Sequence, residues 1–255
     1  MNIKIIDLET SPNIQFSWHL RQKYHNYNDI IQEGGILSAA WKDYGSDYVY
    51  TSAVDVRDPY NDYDVVYNVR EALEDCDLVI TQNGDKFDLR KINAALLKWR
   101  LDPLPPIVSA DCIKITRREF ALNSYGMDAV RKFLGLEGKT KTEYDWWKKI
   151  CTYKPVPTAE RQKYLDLLVS YNADDVNDTE EMYEIIKPYS GRHPSLNLIA
   201  SVDDGCPTCG STNLRTNPSW IHRATTRSYA RYRCDDCKSW CRSTKSLDGV
   251  NFRSI

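Results

Sequence analysis

The chain has 255 residues, 42% hydrophobic and 27% charged, with 34 Lys and Arg against 36 Asp and Glu, which excludes disordered, collagen-like and membrane-spanning classes. The length suits one large domain, or a medium domain with a small appendix. The net charge of −2 conceals an asymmetry: residues 206–255 hold nine basic and three acidic residues, leaving 25 and 33 upstream, so a basic tail suited to an anion follows an acidic body.

The opening Met1-Asn2-Ile3-Lys4-Ile5-Ile6-Asp7 reaches an acid too early for a signal peptide, so a cytoplasmic protein without a membrane segment is expected, in host cytoplasm if phage-encoded. Residues 4–9 read as a strand, and 36–41 with 48–51 as a hairpin around Tyr44-Gly45-Ser46-Asp47. Between them, residues 10–35 form a long polar and aromatic loop carrying Trp18, His19, Arg21, Lys23 and His25. A helix follows over 62–74 and an apolar strand over 78–80. The next helix shows Leu89, Ile92, Leu96 and Trp99 at helical spacing. A fifth strand at 107–108, a helix over 124–134 ending near Gly135, and one long helix or a broken pair over 158–186 complete the body. This order predicts an α/β fold: a mixed five-stranded sheet flanked by helices. Pro188, Gly191, Pro194 and Gly205 punctuate the approach to the tail, giving a domain over 1–190, a linker over 191–205 and a small domain over 206–255.

The strongest functional signal is carboxylates where a core belongs. Side chains two apart on a strand share a face, so Asp7 and Glu9 extend the face begun by Ile3 and Ile5. In the long helix, Leu168, Tyr171, Asp175, Thr179, Met182 and Ile186 advance by three or four residues, placing Asp175 within an apolar stripe while Asp174 turns toward solvent. Asp88, after the apolar strand and at the start of the next helix, is either a helix cap or a further inward acid. Acids gathered this way repel one another unless cations lie between them, and oxygen-only ligands select magnesium or manganese.

Asp7-x-Glu9, Asn83-x-x-x-Phe87-Asp88 and Tyr171-x-x-x-Asp175, in this order, resemble the three motifs of DEDD exonucleases, the DnaQ-like branch of the RNase H-like superfamily. Their wording is similar to that of proofreading domains of phage and bacterial DNA polymerases. Ser170 stands where one subtype has His, and Tyr171 where the other has Tyr, which is similar to the tyrosine subtype. The resemblance covers residues 1–190, and the short remainder predicts a free-standing nuclease. It implies 3′-to-5′ hydrolysis of phosphodiester bonds with two Mg2+ or Mn2+ ions: Asp7 bridging them, Glu9 and Asp175 completing one site, Asp88 holding the other partly through water. Two such cations activate a water and stabilise the leaving oxygen. Tyr171, one turn from Asp175, either orients that water or is a core tyrosine. Asn83 is expected to contact the terminal nucleotide. Trp18 and Arg21 are expected to line a single-strand groove, with a merely solvated loop as the alternative. Single-stranded DNA is the favoured substrate by resemblance, with a replication or repair protein as a possible partner. The rivals are a structure-selective endonuclease and a catalytically silent nucleic-acid-binding adaptor.

Eight cysteines include two tight pairs, Cys206/Cys209 and Cys234/Cys237, 24 residues apart. This resembles a zinc ribbon, in which four thiolates hold one structural Zn2+; a disulfide pair, a redox motif, or substitution by Cys241 or His222 are the alternatives. Between the pairs, Tyr229, Arg231 and Arg233 alternate with Ala230, Tyr232 and Cys234, so a strand there shows one basic and aromatic face, with Arg223 and Arg227 nearby. A nucleic-acid grip is expected, and docking of an acidic protein is the competing reading.

Overall fold

In a computed structural model, which describes residues 1–19, 24, 26–138, 142–152 and 154–251, the run Ile3–Thr10 forms strand β1. It is followed by β2 (Ile14–Gln15), β3 (Ile30–Gln32), β4 (Ile36–Asp43), β5 (Tyr50–Ala53), α1 (Tyr63–Leu73), β6 (Leu78–Thr81), α2 (Asp88–Trp99), β7 (Val108–Asp111), α3 (Cys112–Glu119), α4 (Met127–Phe133), α5 (Tyr144–Cys151) and α6 (Thr158–Ile186). Next come α7 (Leu196–Ile199), β8 (Leu214–Arg223), β9 (Arg227–Cys234) and β10 (Trp240–Gly249). The chain divides into two compact units, Asn2–Lys114 with Leu122–Met182, and Met1 with Ile115–Ala121 and Tyr183–Ile255.

The larger unit holds a mixed sheet in the order β5-β4-β1-β6-β7. The strand β1 is central, antiparallel to β4 and parallel to β6. Its even-numbered residues Ile6 and Leu8 share a face with Ala39 of β4 by register. There they join a buried cluster with Val65, Val66 and Val69 of α1 and Ile92 and Leu96 of α2. The odd-numbered face, carrying Ile5, Asp7 and Glu9, meets α6: Ser38 donates to Asn172 at 2.9 Å, and Lys42 pairs with Glu180 at 2.5 Å. One side of the sheet is thus apolar and the other is polar where α6 crosses it.

The expected mixed five-stranded sheet is the one observed. Its details differ where local pattern is weak. The hairpin strand begins at Tyr50 rather than 48, and the helix expected from 124 starts at Met127 after the extended Gly126. The helix α6 is one unbroken element of 29 residues. The helices α3 and α5 were not expected, because eight-residue segments rich in β-branched or aromatic side chains carry little helix propensity of their own. The early loop contains the small β2-β3 ribbon, and the segment 191–205 contains α7.

A buried cation ties α4 to α6. Arg131, 4% exposed, pairs with Asp178 at 3.0 Å and Glu181 at 2.9 Å, and donates to the carbonyls of Glu137 and Asp178. Removing one member of such a group strands the other charges, so Arg131→Ala should destabilise the larger unit by about 3–5 kcal/mol in urea unfolding. A change under about 1 kcal/mol would mean that solvent already screens the cluster.

Candidate active site

The strand β1 pairs with β6 only from Ile3 to Ile5, whereas it stays paired with β4 up to Thr10. Past Ile5 it outruns its parallel neighbour, and the sheet opens between them where the strand order reverses, β4 and β5 being added on one side of β1 and β6 and β7 on the other, the usual place for a site in open α/β sheets. The first two acids, Asp7 and Glu9, stand on the free length, on one face by the two-residue period. On α6, the helical stripe that buries Leu168 and Val176 also brings in Asp175, 1% exposed, while Asp174 is exposed. Ligand oxygens of Asp7, Glu9 and Asp175 lie within 4.8 Å of one another. At that separation each pair of ionised carboxylates repels by about 3 kcal/mol at an effective dielectric near 20. Lys42 pairs with Glu180, and Arg131 with Asp178 and Glu181. A hard divalent ion is what such an all-oxygen cluster fits.

Asp7 is held in place. The Asn172 side-chain amide donates to its Oδ2 at 2.7 Å, and the Asn172 carbonyl oxygen accepts from Ser38. Both partners are fully buried, so the relay crosses from β4 through α6 to β1. Sequence reasoning assigned neither Asn172 nor Ser38 a role, since they come together across 134 residues.

Asp88 is placed differently from the other three. It is the first residue of α2, whose N-cap position is taken by Phe87 without a side-chain cap bond. Its Oδ1 instead accepts from the Leu8 amide at 3.0 Å, on the stretch where β1 has left β6. It is 2% exposed. Burial, with the Asp111 carboxylate adding, pushes its pKa up to about 7 despite the amides that favour the charge.

Asp111, at the end of β7, is a residue that sequence reasoning missed. It is buried and accepts from the amides of Asn83 at 2.9 Å, Asp85 at 3.4 Å and Ile113 at 3.0 Å. It therefore fixes the turn between β6 and α2 that delivers Asp88. In that turn Asn83 adopts φ +71, a left-handed state that Asn tolerates. A Cβ on Gly84 would lie 2.6 Å from Thr81 Cγ2, so only glycine fits. Burial raises Asp85, but Lys114 and Ser109 hold its pKa below the ordinary value; it is ion-paired with Lys114.

The other expected residues fall as follows. The ring of Tyr171 is buried in the apolar cluster with Leu165 and Leu168. Trp18 is 92% exposed in the early loop, and Arg21, like Lys23 and His25, lies outside the described residues.

In the smaller unit, β8, β9 and β10 form a three-stranded antiparallel sheet, and ligand atoms of Cys206, Cys209, Cys234 and Cys237 lie within 4.8 Å of one another. The Sγ atoms of Cys206 and Cys237 are 3.7 Å apart and those of Cys209 and Cys234 3.6 Å apart. These are far from a disulfide bond of about 2.05 Å. They match the edge of about 3.8 Å of a tetrahedron with metal–sulfur bonds near 2.3 Å. Burial raises the Cys206 thiol, but Ser239 and the amides of Thr208 and Cys209 pull it down to about 7. Cys241 and His222 are not members of the cluster.

A family model of the RNase_H superfamily matches residues 36–187. No curated protein sequence matches the chain. Among solved structures, the chain is similar to a family B DNA polymerase from the hyperthermophilic archaeon Pyrobaculum calidifontis, with 14% identity over 74% of this chain and a TM-score of 0.49. The chain spans a quarter of that polymerase's length. Among the described residues, no helix is long and apolar enough to cross a membrane.

The raised pKa of Asp88 sets a stability signature. Its protonated form is favoured in the fold, so the stabilisation is complete below about pH 4, the unfolded value, and is lost as pH rises through about 7. Without added magnesium or manganese, Asp88→Asn should therefore melt above wild type at pH 8, by roughly 2–4 °C per kcal/mol released, and the gap should close toward pH 4. An unchanged or lower melting temperature at pH 8 would show that Asp88 ionises without cost.

Proposed function

Because the chain belongs to the RNase_H superfamily, we propose that it is a metal-dependent 3′-to-5′ exonuclease of the DEDD tyrosine subtype, acting on single-stranded nucleic acid, DNA in preference. The observation that carries this reading is the convergence of Asp7, Glu9 and Asp175 on the free end of β1. These three would hold one Mg2+ or Mn2+ ion, and Asp7 with Asp88 would hold a second. When bound, such a pair of ions supplies an activated water and neutralises charge on the leaving oxygen.

The chain's own residues do the rest. The side chain of Asn172 holds Asp7 by a hydrogen bond, which would limit its rearrangement when a cation and substrate enter. With its pKa raised to about 7, the Asp88 carboxyl is about half protonated near neutral pH, and a cation held there would displace that proton, so metal affinity would rise with pH. In this reading Tyr171 orients the attacking water through its hydroxyl, and Asn83 touches the terminal nucleotide. The four clustered cysteines hold one structural Zn2+.

On 5′-labelled single strands with magnesium or manganese, the wild type should give a ladder shortening from the 3′ end. Either Asp7→Asn or Asp175→Asn should reduce it by about 100-fold or more while the circular dichroism spectrum is retained. Discrete internal cuts would instead indicate an endonuclease, and unchanged cleavage by both variants would reject the site. Tyr171→Phe separates the two roles of that residue: a lower kcat with an unchanged melting temperature supports water positioning, and full activity limits the ring to packing.

Elemental analysis should find about one zinc per chain, lost in Cys234→Ser together with the cooperative unfolding of the smaller unit. Native protein free of zinc would reject the metal centre.

A further inference from the structure

The register of the three-stranded sheet sorts its side chains onto two unlike faces. Residues directly opposite in an antiparallel pair share a face. From β9, Tyr229, Arg231 and Arg233 therefore lie with their partners His222 and Arg215 on β8 and Arg242 and Trp240 on β10. Trp220 joins them, its ring 4.8 Å from Trp240 in an edge-to-face contact. The opposite face carries the buried Ser228 and Cys234 and the half-buried Ile221, Ala230, Tyr232 and Cys241. Arg223 registers with Ser228 and so belongs to that opposite face, and Arg227 lies at the hairpin end of β9.

The first face is open and cationic. Arg215, Arg231, Trp240 and Arg242 are exposed, Trp240 to 49%. Guanidinium groups lie over the rings: Arg231 and Arg233 at 5.7 and 6.0 Å from Trp240, Arg215 at 5.6 Å from Trp220, and Arg242 at 3.9 Å from Tyr229. Acids hardly neutralise it. Asp235 pairs with Arg215 at 3.2 Å, while Asp236 bonds Ser211 and Asn213, and Asp248 bonds Ser228. Arg231 also donates to the Ile221 carbonyl and Arg242 to that of Ser243, which leaves most of their five N–H donors for other acceptors.

We propose that this face binds a single-stranded stretch of nucleic acid, with a base stacked on Trp240 and phosphates held by Arg231 and Arg242. The combination selects that class. Phosphates alone would require only the arginines, whereas an exposed indole framed by guanidiniums offers an unpaired base a π surface, and a duplex keeps its base faces covered. The proposal rests on the nuclease reading for its choice of nucleic acid as ligand, but its test does not depend on cleavage.

The test uses the full chain carrying Asp7→Asn, with fluorescein-labelled oligo-dT and oligo-rU of about 12 nucleotides, duplex DNA and poly-glutamate as probes in anisotropy titrations. Adding Trp240→Ala should weaken binding of a single strand by at least about fivefold, the lower end of one lost stacking contact, and leave duplex binding within about twofold. The dT and rU arms then tell DNA from RNA. Trp240→Phe, which keeps an aromatic face, should retain most of the affinity; it also serves if the alanine variant loses its zinc. Replacing Arg231 and Arg242 by Gln should lower the slope of log affinity against log salt by about 1.4, at 0.7 per phosphate contact. Unchanged single-strand binding, or equal losses for single strands, duplex and poly-glutamate, would overturn the proposal, the latter in favour of an acidic protein partner. An inactive wild type that still binds through Trp240 would reject the nuclease reading alone.

Discussion

The architecture of the larger unit turns on a mismatch in strand length. The central strand β1 carries eight residues, but its parallel neighbour β6 pairs with only the first three of them. Backbone groups beyond that point need other partners. The Leu8 amide finds one in Asp88, so the residue that satisfies the freed strand is itself a carboxylate delivered by the next helix. The opening between β1 and β6 thus exposes the length of β1 that bears Asp7 and Glu9 and places a buried acid beside it. The turn that brings Asp88 there depends in turn on Asp111, which gathers three amides around Asn83.

Electrostatics then gives this region its chemical character. Three carboxylates with oxygens within 4.8 Å of one another, and Asp88 buried on the adjoining backbone, repel one another when ionised. The surrounding structure over-determines their positions. Asn172 and Ser38 orient Asp7 through buried hydrogen bonds, and the apolar stripe of α6 fixes Asp175. Acids gathered at the open end of a sheet, with apolar packing on the opposite face, are an arrangement that suits hard divalent cations.

Much of this was legible in the sequence, for physical reasons that differ by residue. The two-residue period of a strand was enough to place Asp7 and Glu9 together, and the 3.6-residue period to turn Asp175 inward and Asp174 outward. The element order predicted the mixed sheet. What escaped depends on contacts between distant segments. Nothing local marks Ser38 or Asn172 as partners of Asp7, or Arg131 as the buried cation between α4 and α6. Asp111 ends a four-residue strand too short to show a pattern. The position of Asp88 was readable, but not that its carboxylate would turn from its own helix to Leu8. In the cysteine-rich unit, alternation within β9 was enough to reveal Arg231 and Arg233, while Arg215, Trp240 and Arg242 join them through cross-strand register and Trp220 through its ring contact with Trp240.

The most direct test of the central claim is to locate manganese by anomalous scattering in crystals of the wild-type chain soaked with the ion. A peak is expected within about 2.2 Å of carboxylate oxygens from Asp7, Glu9 and Asp175. Crystals that take up manganese elsewhere and leave these three carboxylates without it would contradict that claim.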